Sequence, residues 1–335
     1  MPVALKIGAD PEVFLKDKTG KIISAHDKMP GTKEKPYVVT KGAIQVDGLA
    51  AEFNIDPAET ASMFSKNIKI VMDQLKSHVG NDVELSIQPT AMFEEGYFKS
   101  LPELTRTLGC VPDFNAWTGQ ANKAPDSNAF QRAAGGHIHL GWGSGMNPED
   151  NIHIDDCRKV AQQLDYYVGM YSLMWDKDTE RRKMYGKAGC FRPKSYGMEY
   201  RTLSNAWLAT PQLQEWVFNA AFKAFHDLIQ GKSAEEKFGD ICIDIINNSE
   251  DWTTKKIGLS GFTDLIPPPV PKKPRDPSAP KLTSAQIKAA LTKSYNYSAY
   301  MTDIYYNAAE GATSESAKEV CNKAILKHYD IANYY

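Results

Sequence analysis

Along the first hundred residues, apolar and polar positions alternate with the period of two that marks half-buried strands. Met1 to Gly8 reads as a strand, and Val13-Phe14-Leu15, Lys18-Thr19-Gly20-Lys21 and Ile22-Ile23 read together as a hairpin. A loop of Gly, Pro and Lys from His26 to Pro36 leads to Tyr37-Val38-Val39 and to Ala43 to Val46. Asp47-Gly48 is a two-residue turn signal, with Leu49 to Ile55 as the return strand. From Glu59 to about Val79 the period changes. Met63, Ile68, Val71, Met72 and Leu75 recur with helical spacing. Val83 to Ile87 is strand-like again.

Residues 106–134 are rich in Gly, Pro, Asn and Asp and predict a long surface loop, of a length that is often functional. Ile138 to Trp142 predicts a strand. Helices are predicted from about Asp155 to Trp175 and from Pro211 to Ile229. Between them lie a basic, Gly-containing stretch, Asp176 to Gly197, and a short strand, Met198 to Leu203. Residues 265–281 are proline-rich and predict a semi-rigid spacer. Ser284 to Thr292 and Ser314 to Tyr335 read as helical. The pattern divides the chain into a main domain over 1–250, a linker over 251–282 and a C-terminal helical segment over 283–335, with no internal repeat.

Composition narrows the class. With 42% apolar and 24% charged residues in 335, the chain is neither disordered, collagen-like nor a coiled coil. Lys and Arg number 39 against 41 Asp and Glu, a net charge of −2, so bulk charge gives no general affinity for nucleic acid or anionic membrane. No stretch reaches the ~18 apolar residues of a membrane span, and the N-terminus lacks a signal-peptide pattern. The five cysteines (Cys110, Cys157, Cys190, Cys242, Cys321) are scattered, which suits reduced thiols. A cytoplasmic protein is expected.

The chemistry lies on short strands. Side chains at i and i+2 face one side. Asp10-Pro11-Glu12, Glu52-Phe53-Asn54, His137-Ile138-His139 and Glu199-Tyr200-Arg201 each place two polar groups that way. Taken singly, such triplets are the ordinary signature of a half-exposed strand. The histidine pair is the sharpest, because its surroundings carry little charge. Collected on one face, these carboxylates and imidazoles would repel or neutralise one another without cations. Mg²⁺ or Mn²⁺ suits such donors. In the basic stretch, Lys183, Lys187 and Lys194 read as solvated. Arg192 and at least one of Arg181 and Arg182 read as phosphate contacts, since guanidinium forks match phosphate oxygens. Metals and arginines beside acids form a layout for phosphoryl transfer. His26, His78, His153, His226 and His328 read as structural or surface groups, as does Cys190. No P-loop, nucleophile elbow or dinucleotide fingerprint is present.

In order along the chain stand Gly8-Ala9-Asp10-Pro11-Glu12-Val13-Phe14, Val46-Asp47-Gly48 with Ala51-Glu52-Phe53-Asn54, Gly135-Gly136-His137-Ile138-His139-Leu140-Gly141, and Tyr196-Gly197-Met198-Glu199-Tyr200-Arg201. This ordered set resembles the phage-type carboxylate–amine ligases, the type 2 amidoligase group of the glutamine synthetase and glutamate–cysteine ligase superfamily. The resemblance spans roughly residues 5–230. It implies an α+β fold, a curved antiparallel sheet of the glutamine synthetase-like catalytic type with helices packed on its outer face. It implies ATP-dependent, metal-dependent amide formation through an acyl phosphate, from a small-molecule or peptide carboxylate and an amine. Carried over by motif, Asp10, Glu12, Glu52, His137 and Glu199 are metal ligands. His139 lies nearer the nucleotide phosphates, and Arg201 contacts phosphate or acyl phosphate. The family usually has Glu where Asp10 stands and a second acid beside Glu52, so two metals are expected rather than three. For deprotonating the amine, Asp47, Glu52 and residues of the 106–134 loop stay open. Phage members act in the bacterial host cytoplasm; an oligomer is compatible with the sequence.

Two other readings compete. A guanidino-kinase-like phosphotransferase uses a related fold, though it relies on arginines more than on a His-x-His strand. A partner-docking role would use the proline-rich linker with Lys272, Lys273, Arg275 and Lys281.

Overall fold

In the computed structural model, which describes residues 5–106, 113–122, 130–250 and Pro268, the alternating pattern becomes one large antiparallel sheet. The strands are β1 (Lys6–Asp17), β2 (Ile22–Ile23), β3 (Tyr37–Val39), β4 (Gly42–Asp47), β5 (Ala50–Ile55), β6 (Val83–Ser86), β7 (Thr90–Met92), β8 (Phe114–Asn115), β9 (Gln131–Ala133), β10 (Gly136–Gly141), β11 (Cys190–Lys194) and β12 (Gly197–Tyr200). The sheet runs β3-β4-β5-β1-β10-β12-β11-β8 and is open at both ends. The strands β2 and β6 pair with the far half of β1, while β7 and β9 form a separate pair. The turn between β4 and β5 is Gly48-Leu49, one residue beyond the Asp47-Gly48 signal, with Asp47 paired to Ala50 and Gly48 at φ 58.

Alternation sorts the sheet into two faces. Phe53, Ile138, Met198 and Tyr200 are wholly buried, and each stands next to a polar residue of the opposite face. The buried face carries the helices. The helix Ala61–Val79 starts where Thr60 accepts from the Met63 amide, and it buries Phe64, Ile68, Val71 and Leu75 in one stripe. Phe64 packs against Trp207 and Phe218, joining this helix to Pro211–Ile229. The latter starts at Thr210, with Pro211 at its first turn. A third helix, Asn151–Leu164, packs against β11 and β12 and runs on through a π turn, Asp165–Gly169, to Met170–Ser172. The sequence predicts this helix only from Asp155. The Asp150 side chain accepts from the Ile152 amide and starts it earlier.

Two sequence expectations are corrected. The 106–134 stretch is not simply a surface loop: β8 joins the main sheet, β9 pairs with β7, and Asp113, Ala116 and Arg132 are buried. The Asp176 to Gly197 stretch is not an irregular basic loop either, although Lys183 and Lys187 are exposed as expected. It holds a short helix, Glu180–Met184, and the strand β11. Both stretches are rich in Gly and charge, which hides strands only two to five residues long. The chain divides into Met1–Lys255 with Pro267–Val270, and Lys256–Ile266 with Pro271–Tyr335. The helices expected over Ser284 to Thr292 and Ser314 to Tyr335, and nearly all of the linker, lie outside the described residues. No helix among the described residues is long and apolar enough to cross a membrane.

Asp165, at the start of the π turn, locks the helical layer to the sheet. It is fully buried. The Tyr200 phenol donates to it at 2.6 Å and the Trp117 indole at 2.6 Å. Burial pushes its carboxyl up to about 7 against the pull of those two donors. The folded chain therefore holds this proton more tightly than the unfolded chain does. The stabilisation is complete below the unfolded carboxylate pKa, about 3.9, and is lost as pH rises through about 7. Denaturant titration of wild type and Asp165→Asn at pH 5 and pH 8 tests this. Wild-type stability relative to the variant should drop by about 2–3 kcal/mol between the two conditions. A difference that does not move with pH would show the carboxyl ionised throughout.

Candidate active site on the polar face of the sheet

The polar face follows from strand register. Asp10 on β1 stands opposite His137 on β10, and His139 stands opposite Glu199 on β12. Glu199 in turn faces Arg192 on β11. On the other side of β1, Glu12 faces Glu52 on β5, and Glu52 faces Gln45 on β4. Six neighbouring strands thus carry one continuous polar row, because antiparallel partners point to the same face.

At its centre, Asp10, His137 and Glu199 offer one ligand atom each, all within 4.8 Å of one another. His137 Nδ1 lies 3.6 Å from Asp10 Oδ1 and 3.4 Å from Glu199 Oε1. His139 Nε2 comes within 2.9 Å of Asp10 Oδ1 without the alignment of a hydrogen bond. Its Nδ1 meets the Tyr196 hydroxyl at 2.5 Å. Burial and the Arg201 charge hold His137 down at about 3, so it is a neutral imidazole. Burial alone would raise Asp10, but the two imidazoles override it and keep its carboxyl well below the usual range.

Cations gather on the β11 and β12 side. Glu199 is fully buried and meets the Arg201 guanidinium, Lys194 Nζ at 2.9 Å and Arg192 Nη1 at 3.4 Å. Arg201 also donates through Nε to Asp113 at 3.1 Å, and Asn122 holds the other Asp113 oxygen at 2.9 Å. Burial and the neighbouring Arg192 lower the Lys194 pKa. Acids gather on the β4 and β5 side. Burial and the Asp47 charge push Glu12 up to about 7. Burial, with Asp10, Glu12 and Asp47 nearby, raises Glu52 well above the usual range. Gln45 donates to Glu52 at 2.8 Å, the Gly135 amide donates to Glu12 at 2.9 Å, and Lys33 meets Asp47 at 2.8 Å.

Asp10, Glu12, Glu52, His137, His139, Arg192, Glu199 and Arg201 therefore share one face, as the triplet spacing requires. Arg181 and Arg182 do not join them. Both are almost fully buried. Arg181 donates to the carbonyls of Ala134, Thr202 and Leu203, and Arg182 to those of Gly186 and Thr202. Their forks are filled by backbone, so the expected phosphate contact at either position does not fit this placement. Lys194, expected to be solvated, lies instead on Glu199. The strand alternation Arg192-Pro193-Lys194 was the available signal. Asp113 lies in the 106–134 stretch already left open for a role at the site, whereas Gln45 and Tyr185 carried no signal, because their roles come from contacts between elements. Cys190 is buried, and burial pushes its thiol up to about 12, which suits its structural reading.

The donor set fits a divalent metal. Two carboxylates and a neutral imidazole converge, and the enclosed Asp10 Oδ1 has no hydrogen-bond partner. Gly135 shapes this place: a Cβ there would lie 2.3 Å from His137 Nε2.

No curated protein matches the chain. Residues 124–234 match the family described as "Phage phiEco32-like COOH.NH2 ligase-type 2", a stretch that carries His137, His139, Arg192, Lys194, Glu199 and Arg201 but not Asp10, Glu12 or Glu52. This match bears out the resemblance to the phage-type carboxylate–amine ligases over the last two of the four ordered motifs.

Proposed function

We propose that the protein joins a carboxylate to an amine at the expense of ATP, through an acyl phosphate, with Mg²⁺ or Mn²⁺ held by Asp10, His137 and Glu199. The observation that carries this reading is the convergence of that triad with Arg192, Lys194 and Arg201 around one buried carboxylate. The open antiparallel sheet, with helices on its other face, is compatible with a glutamine synthetase-like catalytic fold. A bound divalent metal would neutralise phosphate oxygens and polarise the transferring group.

The chain's own residues do the rest. Attack of a carboxylate on a phosphoryl group brings two anions together, and that charge has to be matched in the transition state. Arg201, Arg192 and Lys194 supply positive charge on the β11 and β12 side. Asp113 fixes the direction of Arg201. His137 stays neutral and therefore offers a lone pair rather than a proton. The amine has to lose a proton before it attacks the acyl phosphate. Glu12 lies on the acidic side of the triad, and burial pushes its carboxyl up to about 7, so its ionised form accepts that proton more readily than an ordinary carboxylate.

Two measurements test this. Purified protein with Mg²⁺ or Mn²⁺, ATP, a panel of carboxylates and hydroxylamine should release ADP and form a hydroxamate. Glu199→Gln should lower that rate by about a hundredfold or more. ADP release with a phosphorylated product and no hydroxamate would replace the ligase by a kinase, and unimpaired Glu199→Gln would remove this face from the chemistry. Separately, Gly135→Ala should weaken Mn²⁺ binding by about 10–100-fold in calorimetry, because the added methyl displaces the His137 ring. Unchanged Mn²⁺ affinity would place the metal elsewhere.

A further inference from the structure

Tyr185 follows the helix Glu180–Met184, and its ring lies among the groups of the polar face. The ring centre is 5.8 Å from that of His137, 5.2 Å from the Arg201 guanidinium carbon and 5.5 Å from that of Arg181. The turn that brings it there depends on Gly186, at φ 72, where a Cβ would collide with the Arg181 guanidinium. The phenol oxygen is enclosed and has no hydrogen-bond partner. A phenol is a protonated donor at physiological pH. A buried hydroxyl without a partner destabilises the fold that contains it, and its persistence calls for a partner that arrives from outside.

We propose that Tyr185 is a further catalytic residue, whose hydroxyl donates to the same phosphate oxygens that Arg201 receives. Of the two guanidinium groups against its ring, Arg181 is filled by backbone carbonyls. Arg201 lies beside Glu199 on the polar face. The ring thus packs against one guanidinium already filled by backbone and one, Arg201, that belongs to the polar face. A neutral donor beside two cations also suits an oxygen anion: it adds a hydrogen bond without adding charge that an empty site would have to balance. This inference rests on the ligase reading above.

The full chain with Tyr185→Phe keeps the ring and removes only the hydroxyl. Three readouts are compared with wild type: binding of Mn²⁺ alone, binding of Mn²⁺·ATP, and the melting midpoint without ligand. Mn²⁺ affinity should stay within about twofold, while Mn²⁺·ATP affinity should fall about tenfold. The melting midpoint of the ligand-free variant should rise by about 2–4 °C, because an unpartnered hydroxyl has gone. Equal Mn²⁺·ATP affinity in the two proteins would overturn the proposal alone. So would a lower melting midpoint with unchanged affinity, the mark of a purely structural hydroxyl. Wild type that binds no Mn²⁺·ATP would overturn the ligase reading and this inference together.

Discussion

A fully enclosed carboxylate has to be matched by positive charge, and Glu199 imposes that requirement at the centre of the sheet. Arg192, Lys194 and Arg201 answer it, and His137 comes within 3.4 Å. Glu199 and Asp113 share these three cations, which leaves an excess of positive charge on this side of the face. On the far side of β1, Glu12 and Glu52 stand directly opposite each other with Asp47 nearby, and burial raises both. That side has an excess of acid. The triad of Asp10, His137 and Glu199 lies between the two. Under the proposed ligase reading, a face polarised in this way holds phosphate at one end and takes a proton from an amine at the other.

The polarised face depends on what lies behind it. Each polar side chain of the row neighbours a buried one that anchors the helical layer: Phe53 beside Glu52, Ile138 beside His137, Tyr200 beside Glu199. Tyr200 reaches Asp165 at the π turn, and Asp165 also holds Trp117. Trp117 belongs to the segment whose Asp113 directs Arg201. The strand that carries Glu199 is therefore fixed through its neighbour on the opposite face. A π turn in a long helix is a local departure from regular hydrogen bonding, and here it coincides with the residue that ties helix, sheet and loop together.

Much of this was legible in the sequence, for a definite physical reason. Period-two triplets specify which side chains share a face, and the structure places Asp10, Glu12, Glu52, His137, His139 and Glu199 accordingly. The hairpin signalled by Asp47-Gly48 and the helices beginning after Thr60 and Thr210 follow local rules of turn and cap chemistry. What failed were inferences from residue type without register. Arg181 and Arg182 read as phosphate ligands because guanidinium groups suit phosphate, yet both fold inward onto backbone carbonyls. Lys194 read as solvated because lysines in basic, Gly-containing stretches usually are. Only the pairing of β11 with β12 places it on Glu199. Asp113 was legible only as part of the 106–134 stretch, because its partner Arg201 is 88 positions away. Tyr185 was beyond reach, since nothing local marks a residue whose hydroxyl has no partner.

The central claim is that the converging donors of Asp10, His137 and Glu199 hold a divalent metal. Crystals grown with Mn²⁺ and measured at the manganese absorption edge test it most directly. An anomalous peak bounded by Asp10, His137 and Glu199 is the expected result, lost in crystals of Glu199→Gln. A well-ordered polar face with no anomalous peak there, or with manganese bound only elsewhere, would contradict the metal-assisted chemistry on which the ligase reading depends.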